Sequence, residues 1–217
     1  MGTREKILEE ALTLFSQKGY NGVSVREIAG AIGIKESSLY NHFANKQEIF
    51  DQTVEFCWQE AETYFKEQGL PFTGEEDLNI FGEEDFSLLS ETLLSLFRYF
   101  FDDPVNVRFR KLLLLSQFEN RRAWELYRKV YCEYPLEVQA KIFSWLMEAG
   151  IFQKGDPEAA ALEFYGGVFL LLHTCSSMEE AKPSFLAHLK QFVKHHRCEG
   201  PKAIPHRKVG AILPEVI

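Results

Sequence analysis

Residues 23–50 read VSVREIAGAIGIKESSLYNHFANKQEIF, and the fold follows from this stretch. Ser24-Val25-Arg26-Glu27 has the form of a capping box, in which a serine oxygen accepts a first-turn N–H and the glutamate reaches back to the cap. Val23 and Ile28 are spaced as the matching hydrophobic staple. The spacing predicts a helix to about Ile32 that turns Val25, Ile28, Ala29 and Ile32 inward. Ala29 is the small residue that a close helix crossing needs, and Gly33 follows where a tight turn wants a residue tolerant of positive φ. Ile34, Leu39 and Phe43 then give the apolar face of a third helix over roughly 35–43. Its other face displays Lys35, Glu36, Ser37, Ser38, Tyr40, Asn41 and His42. Asn45-Lys46-Gln47-Glu48 is a further helix start, with Asn as the cap. Helix starts, a glycine turn and an apolar register within fewer than thirty residues describe a helix-turn-helix.

Upstream, Ile7, Leu8, Ala11, Leu12 and Phe15 recur at helical spacing, with Thr3 as a candidate cap and Gly19 as the stop. Downstream, a fourth helix is predicted to about Gln68 with Ile49, Val54, Phe56 or Cys57, Ala61 and Phe65 inward. Residues 69–85 break helicity with Gly, Pro and acidic clusters and read as a surface connection. Residues 86–101 are apolar nearly all round, as in the interior of a bundle. Asp103-Pro104 opens a helix to about Phe118. A longer stretch over 121–148 contains Pro135, which must kink or split it. Asp156-Pro157-Glu158 starts a helix over 157–175, and Lys182-Pro183 opens the last one. With no repeat and no strand signal the chain is all-α. It divides into a helix-turn-helix head (1–46), joined through the fourth helix to a C-terminal helical bundle (47–198), and a tail (199–217).

The 217 residues are 46% hydrophobic and 26% charged, an ordinary globular balance. The net charge of -8 argues against a general polyanion binder, so any nucleic-acid contact must be local. Residues 1–50 carry six Lys/Arg against six Asp/Glu, whereas residues 51–100 carry twelve acidic residues with only Lys66 and Arg98 as counterweight. Cys57, Cys132, Cys175 and Cys198 form no CxxC pair, and the weak pattern of His188, His195, His196 and Cys198 lacks the flanking ligands of a dedicated metal site. No metal and no cofactor is expected. The sequence holds no serine elbow, phosphate-cradling glycine loop or HExxH motif, which argues against an enzyme. Arg4, Glu5 and Lys6 interrupt any basic-then-apolar leader, and the apolar run over 166–172 is too short to span a bilayer. A cytoplasmic location with reduced thiols and no membrane partner is therefore expected.

The head resembles the DNA-binding domain of the TetR (tetracycline-repressor-like) family of bacterial transcription regulators. The resemblance is carried by Phe15, Gly19-Tyr20, Ser24 to Ala29, Gly33, Ser38-Leu39-Tyr40, His42-Phe43 and Asn45-Lys46. It is specific over about the first fifty residues and architectural beyond them. Lys35 departs from it, standing where the family often has a Ser or Thr cap for the recognition helix. The resemblance implies a double-stranded palindromic operator, with the third helix in the major groove. Ser37, Ser38 and Asn41 are then candidates for base edges or phosphates, and Ser24, Lys35, Tyr40, His42 and Lys46 for the backbone. So few charges on each head call for two heads. By the family's analogy the last two helices would build a homodimer, with Phe164, Gly166, Gly167, Leu170, Phe185, Leu189 and Phe192 as candidate interface residues. The aromatics Phe65, Phe97, Phe101, Phe109, Trp124, Tyr127, Tyr131, Trp145 and Phe169 read equally as a well-filled core or as the lining of an apolar ligand pocket, and the family favours the pocket. The expected function is a dimeric repressor whose operator affinity an apolar small ligand controls. The alternative is a DNA-binding protein whose bundle recognises a partner protein.

Overall fold

The computed structural model describes residues 2–67 and 86–198. The connection expected over 69–85 and the tail over 199–217 lie outside the described residues. Among these, ten α-helices account for nearly all regular structure: α1 (Thr3–Lys18), α2 (Val25–Ala31), α3 (Glu36–Leu39), α4 (Lys46–Glu67), α5 (Phe86–Asp102), α6 (Pro104–Ser116), α7 (Arg121–Arg128), α8 (Tyr134–Glu148), α9 (Pro157–Thr174) and α10 (Met178–His196). The fold is all-α; an isolated antiparallel bridge between Phe152 and Arg197 is the one β-type pairing among the described residues.

The helices form two compact units. The first joins α1–α4 with α6 and α7. Its head core is the set the periodicity selects, Ile7, Leu8, Ala11, Leu12, Phe15, Ile28, Ala29, Leu39, Phe43 and Ile49, with Phe50 added, and all are buried. Val25 and Ile32, expected inside, are only half-buried, because α2 has two turns and its core stripe is Ile28 and Ala29. Gly2, not Thr3, precedes α1, and its backbone N–H donates to Glu5 Oε2 at 2.7 Å. The second half of the unit is tied on by polar contacts. Arg108 Nη1 donates to Thr13 Oγ1 (3.0 Å) and Asn120 Nδ2 to Gln47 Oε1 (3.0 Å). The Tyr20 N–H donates to Ser116 Oγ (2.9 Å).

The second unit joins α5, α8, α9 and α10. Asp156 caps α9 by accepting from the N–H groups of Glu158 (2.9 Å) and Ala159 (3.3 Å), with Pro157 at the first helical position, as the sequence predicts. α10 starts four residues before the expected Lys182, since Ser177 accepts from the Glu180 N–H and caps it; Pro183 lies inside the helix. The core centres on Phe143, Phe164 and Phe192, whose ring centroids lie 5.1–6.0 Å apart. Pro135 does split the long helix: α7 and α8 are separated by a π-helical turn, Lys129–Glu133. A proline cannot donate to the carbonyl four residues earlier. That carbonyl, on Tyr131, accepts instead from Tyr165 Oη at 2.7 Å.

Candidate nucleic-acid interface and apolar cavity

The turn between α2 and α3 is built by hydrogen bonds that only a left-handed residue permits. The Gly33 N–H donates to the Gly30 carbonyl (3.1 Å) and the Ile34 N–H to the Ala29 carbonyl (3.0 Å), with Gly33 at φ 73°. This is a Schellman motif with glycine at its left-handed position. It stops α2 abruptly and sends the chain into α3 at a fixed angle.

The third helix is shorter than predicted. Regular α structure covers Glu36–Leu39, and residues 40–42 continue as turns in which the Asn41 N–H reaches Ser38 and the His42 N–H reaches Leu39. Lys35 supplies no side-chain cap, and the last turn tightens to i→i+3 bonds. Buried Leu39 and Phe43 still pin this segment to the head core. Lys35, Ser37, Tyr40, Asn41 and His42 are exposed and Ser38 is half-buried. The structure thus brings the predicted recognition residues together on one short, solvent-facing segment.

Two candidates are held differently. Ser24 caps α2, and both its donors, N–H and Oγ, go to Glu27 Oε2 at 2.8 Å, while Glu27 Oε1 receives Lys18 Nζ at 3.0 Å. The Ser24 N–H foremost, then Lys18, holds the Glu27 carboxyl down at about 2. A phosphate arriving at Ser24 must therefore displace Glu27. Lys46 lies over the Tyr20 ring with Nζ 4.3 Å from the centroid. Burial lowers its pKa, against the pull of Glu119 and Glu27. Tyr20 in turn packs edge-on to Phe50 and stacks with Phe15; burial foremost, then the Asp51 charge, raises its pKa. Lys46 is thus a half-buried part of the head's aromatic corner. The pairing with Tyr20, 26 positions away in the chain, left no local signal.

A cavity of about 120 Å³ lies within the second unit. Of the nine aromatics expected to line it, Phe97 and Tyr131 do, along with Leu93, Leu96, Phe100, Pro135, Val138, Gln139, Ile142, Phe143, Phe164 and Tyr165. Phe65, Phe109, Trp124 and Tyr127 belong to the first unit, whereas Phe101, Trp145 and Phe169 pack in the second unit's core. Periodicity reports which side chains face inward but not which hollow they face. The interface candidates divide as well. Phe164, Phe185, Leu189 and Phe192 are buried in the core of their own chain, while Leu170 (60% exposed), Gly166 and the unanticipated Leu162 (62%) form an open stripe on α9. Gly167 faces α10 of its own chain, since a Cβ there would stand 2.7 Å from His188 Nε2. No group of His, Cys, Asp or Glu able to hold a metal occurs among the described residues, and no described helix is long and apolar enough to cross a membrane.

Residues 7–53 match the family model described as bacterial regulatory proteins, tetR family. Over 55 residues the chain is 46% identical to the biofilm operon icaADBC HTH-type negative transcriptional regulator IcaR of Staphylococcus epidermidis. That stretch is 25% of this chain and 30% of the relative, so the match spans less than a third of the curated relative's length. Among solved structures, a TetR family transcriptional regulator from Pseudomonas syringae pv. tomato superposes with a TM-score of 0.61 at 18% identity, over 91% of this chain and 98% of its own. SmeT, the repressor of the Stenotrophomonas maltophilia multidrug efflux pump SmeDEF, does so with a TM-score of 0.59 at 19% identity, over 94% and 96%. The head over residues 7–53 thus matches the tetR family of bacterial regulatory proteins, and the chain shares the all-helical fold of these solved structures.

Proposed function

We propose that this chain is a dimeric transcriptional repressor that grips a palindromic operator through two heads and is released by an apolar small ligand. The observation that carries the reading is the exposed segment over 35–42, anchored by Leu39 and Phe43 and aimed by the Schellman turn at Gly33. Its side chains are short or amphipathic hydrogen-bonding groups, the kind that reach base edges and phosphates. IcaR and SmeT, both named as repressing proteins, support the direction of control. The exposed Leu162–Gly166–Leu170 stripe supports a self-complementary face on α9, because unpaired apolar stripes rimmed by polar residues mark interfaces. The cavity supports a ligand of modest size.

A gel shift against the DNA upstream of the chain's own gene tests the reading. One palindromic site should be retained at moderate salt, with affinity falling steeply as salt rises. If no sequence beats random DNA there, the regulatory role fails.

A further inference from the structure

We infer that the cavity of the second unit takes a ring-sized apolar molecule bearing one hydroxyl or N–H donor, and that Gln139 Oε1 receives that donor. The inference rests on the ligand-controlled reading above. Pro135, Val138, Gln139 and Ile142 stand at i, i+3, i+4 and i+7 on α8, so one face of that helix fronts the cavity. Three of the four are apolar, as packing alone would ask; the fourth is an amide. Gln139 Oε1 is out of reach of solvent and accepts no hydrogen bond, the one such side-chain atom among the described residues. A buried amide oxygen left unpaired costs most of a hydrogen bond, and folded proteins keep few of them. Tyr165, which also lines the cavity, cannot supply the missing donor, because its hydroxyl already donates to the Tyr131 carbonyl at 2.7 Å.

Size narrows the class. An engineered apolar cavity of about 150 Å³ holds benzene, and this one measures about 120 Å³. Its walls carry Phe97, Phe100 and Phe143, which suit a ring. The π-helical turn at Lys129–Glu133 contributes Val130 and Tyr131 to the same wall, and such turns are frequent at binding sites.

The test uses the full-length chain and three probes of one skeleton: 4-methylphenol, toluene and 4-methylanisole, titrated by calorimetry against wild type and Gln139→Leu. In a cavity without an acceptor the phenol binds worse than toluene, since its hydroxyl loses water and gains nothing. Here wild type should bind 4-methylphenol more tightly than toluene. The preference should fall about tenfold in Gln139→Leu, the factor that one net hydrogen bond supplies. An unchanged ratio overturns the inference. If the variant does not fold, the wild-type series decides alone: toluene bound more tightly than the phenol overturns the inference. A preference for 4-methylanisole, which can only accept, overturns it too. If all three bind alike, the donor requirement is lost while the ligand-controlled reading stands. If none binds, that reading falls with it.

Discussion

Glu27 receives donors from two sides, the N–H and hydroxyl of Ser24 and the ammonium of Lys18. They favour its charged form, so its carboxyl titrates at about 2 instead of the ordinary 4.5. The sign follows from linkage: between those values the unfolded chain takes up a proton that the folded chain refuses. The contribution is therefore fully present above pH 4.5 and is lost as pH falls toward 2. In urea titrations, Glu27→Gln should be the less stable protein at pH 6, and the gap should close by pH 2. A gap that stays constant over this range would mean the carboxylate does not hold the cap. Gly33 makes a different single-residue demand. Nothing stands within 4 Å of a Cβ added there, so its requirement is purely the backbone at φ 73°. Gly33→Ala should cost about 1 kcal/mol by urea denaturation and Gly33→Asn less, because Asn tolerates the left-handed region.

At the scale of the element, the break between α7 and α8 couples a missing donor to a distant hydroxyl. Tyr165→Phe removes the donor to the Tyr131 carbonyl in a buried setting, and should cost about 1 kcal/mol. With Pro135→Ala the helix regains an N–H within reach of that carbonyl, so Tyr165→Phe should cost less in that background. A double-mutant cycle by chemical denaturation reads the difference; costs that simply add would separate the two features. Elements whose cause is local could be read from the sequence. The Ser24 and Asp156 caps, the Gly33 turn and the Pro135 break each depend on residues within four or five positions. What could not be read depends on distant partners. Ser116 meets Tyr20 across 96 positions and Asn120 meets Gln47 across 73, so nothing nearby assigns α6 and α7 to the head's unit. The amide of Gln139 stands among apolar neighbours on α8, and only packing shows that its oxygen lacks a partner.

For the whole molecule, the proposed operator binding has to come from heads with little net charge. Residues 1–50 carry equal numbers of acidic and basic side chains, and Lys18 is further neutralised by Glu27. The counterion term from one such head is small, so the proposed operator binding calls for two heads bound at once. The α9 stripe makes this testable without touching the head. Leu170 is 60% exposed within its own chain, and Gly166 lies one turn before it with open space at its Cβ position. Leu170→Glu should therefore leave the monomer's thermal stability nearly unchanged, while placing a charge in an apolar dimer face. Sedimentation should show wild type as a dimer and the variant as a monomer at micromolar concentration. Operator affinity should drop by at least tenfold, and the slope of log affinity against log salt should fall to about half, since half the phosphate contacts are lost. Gly166→Leu gives an independent check, because it crowds the same face without adding charge. A variant that stays dimeric yet loses the operator would move the interface off α9, and one that becomes monomeric yet binds unchanged would show that a single head suffices.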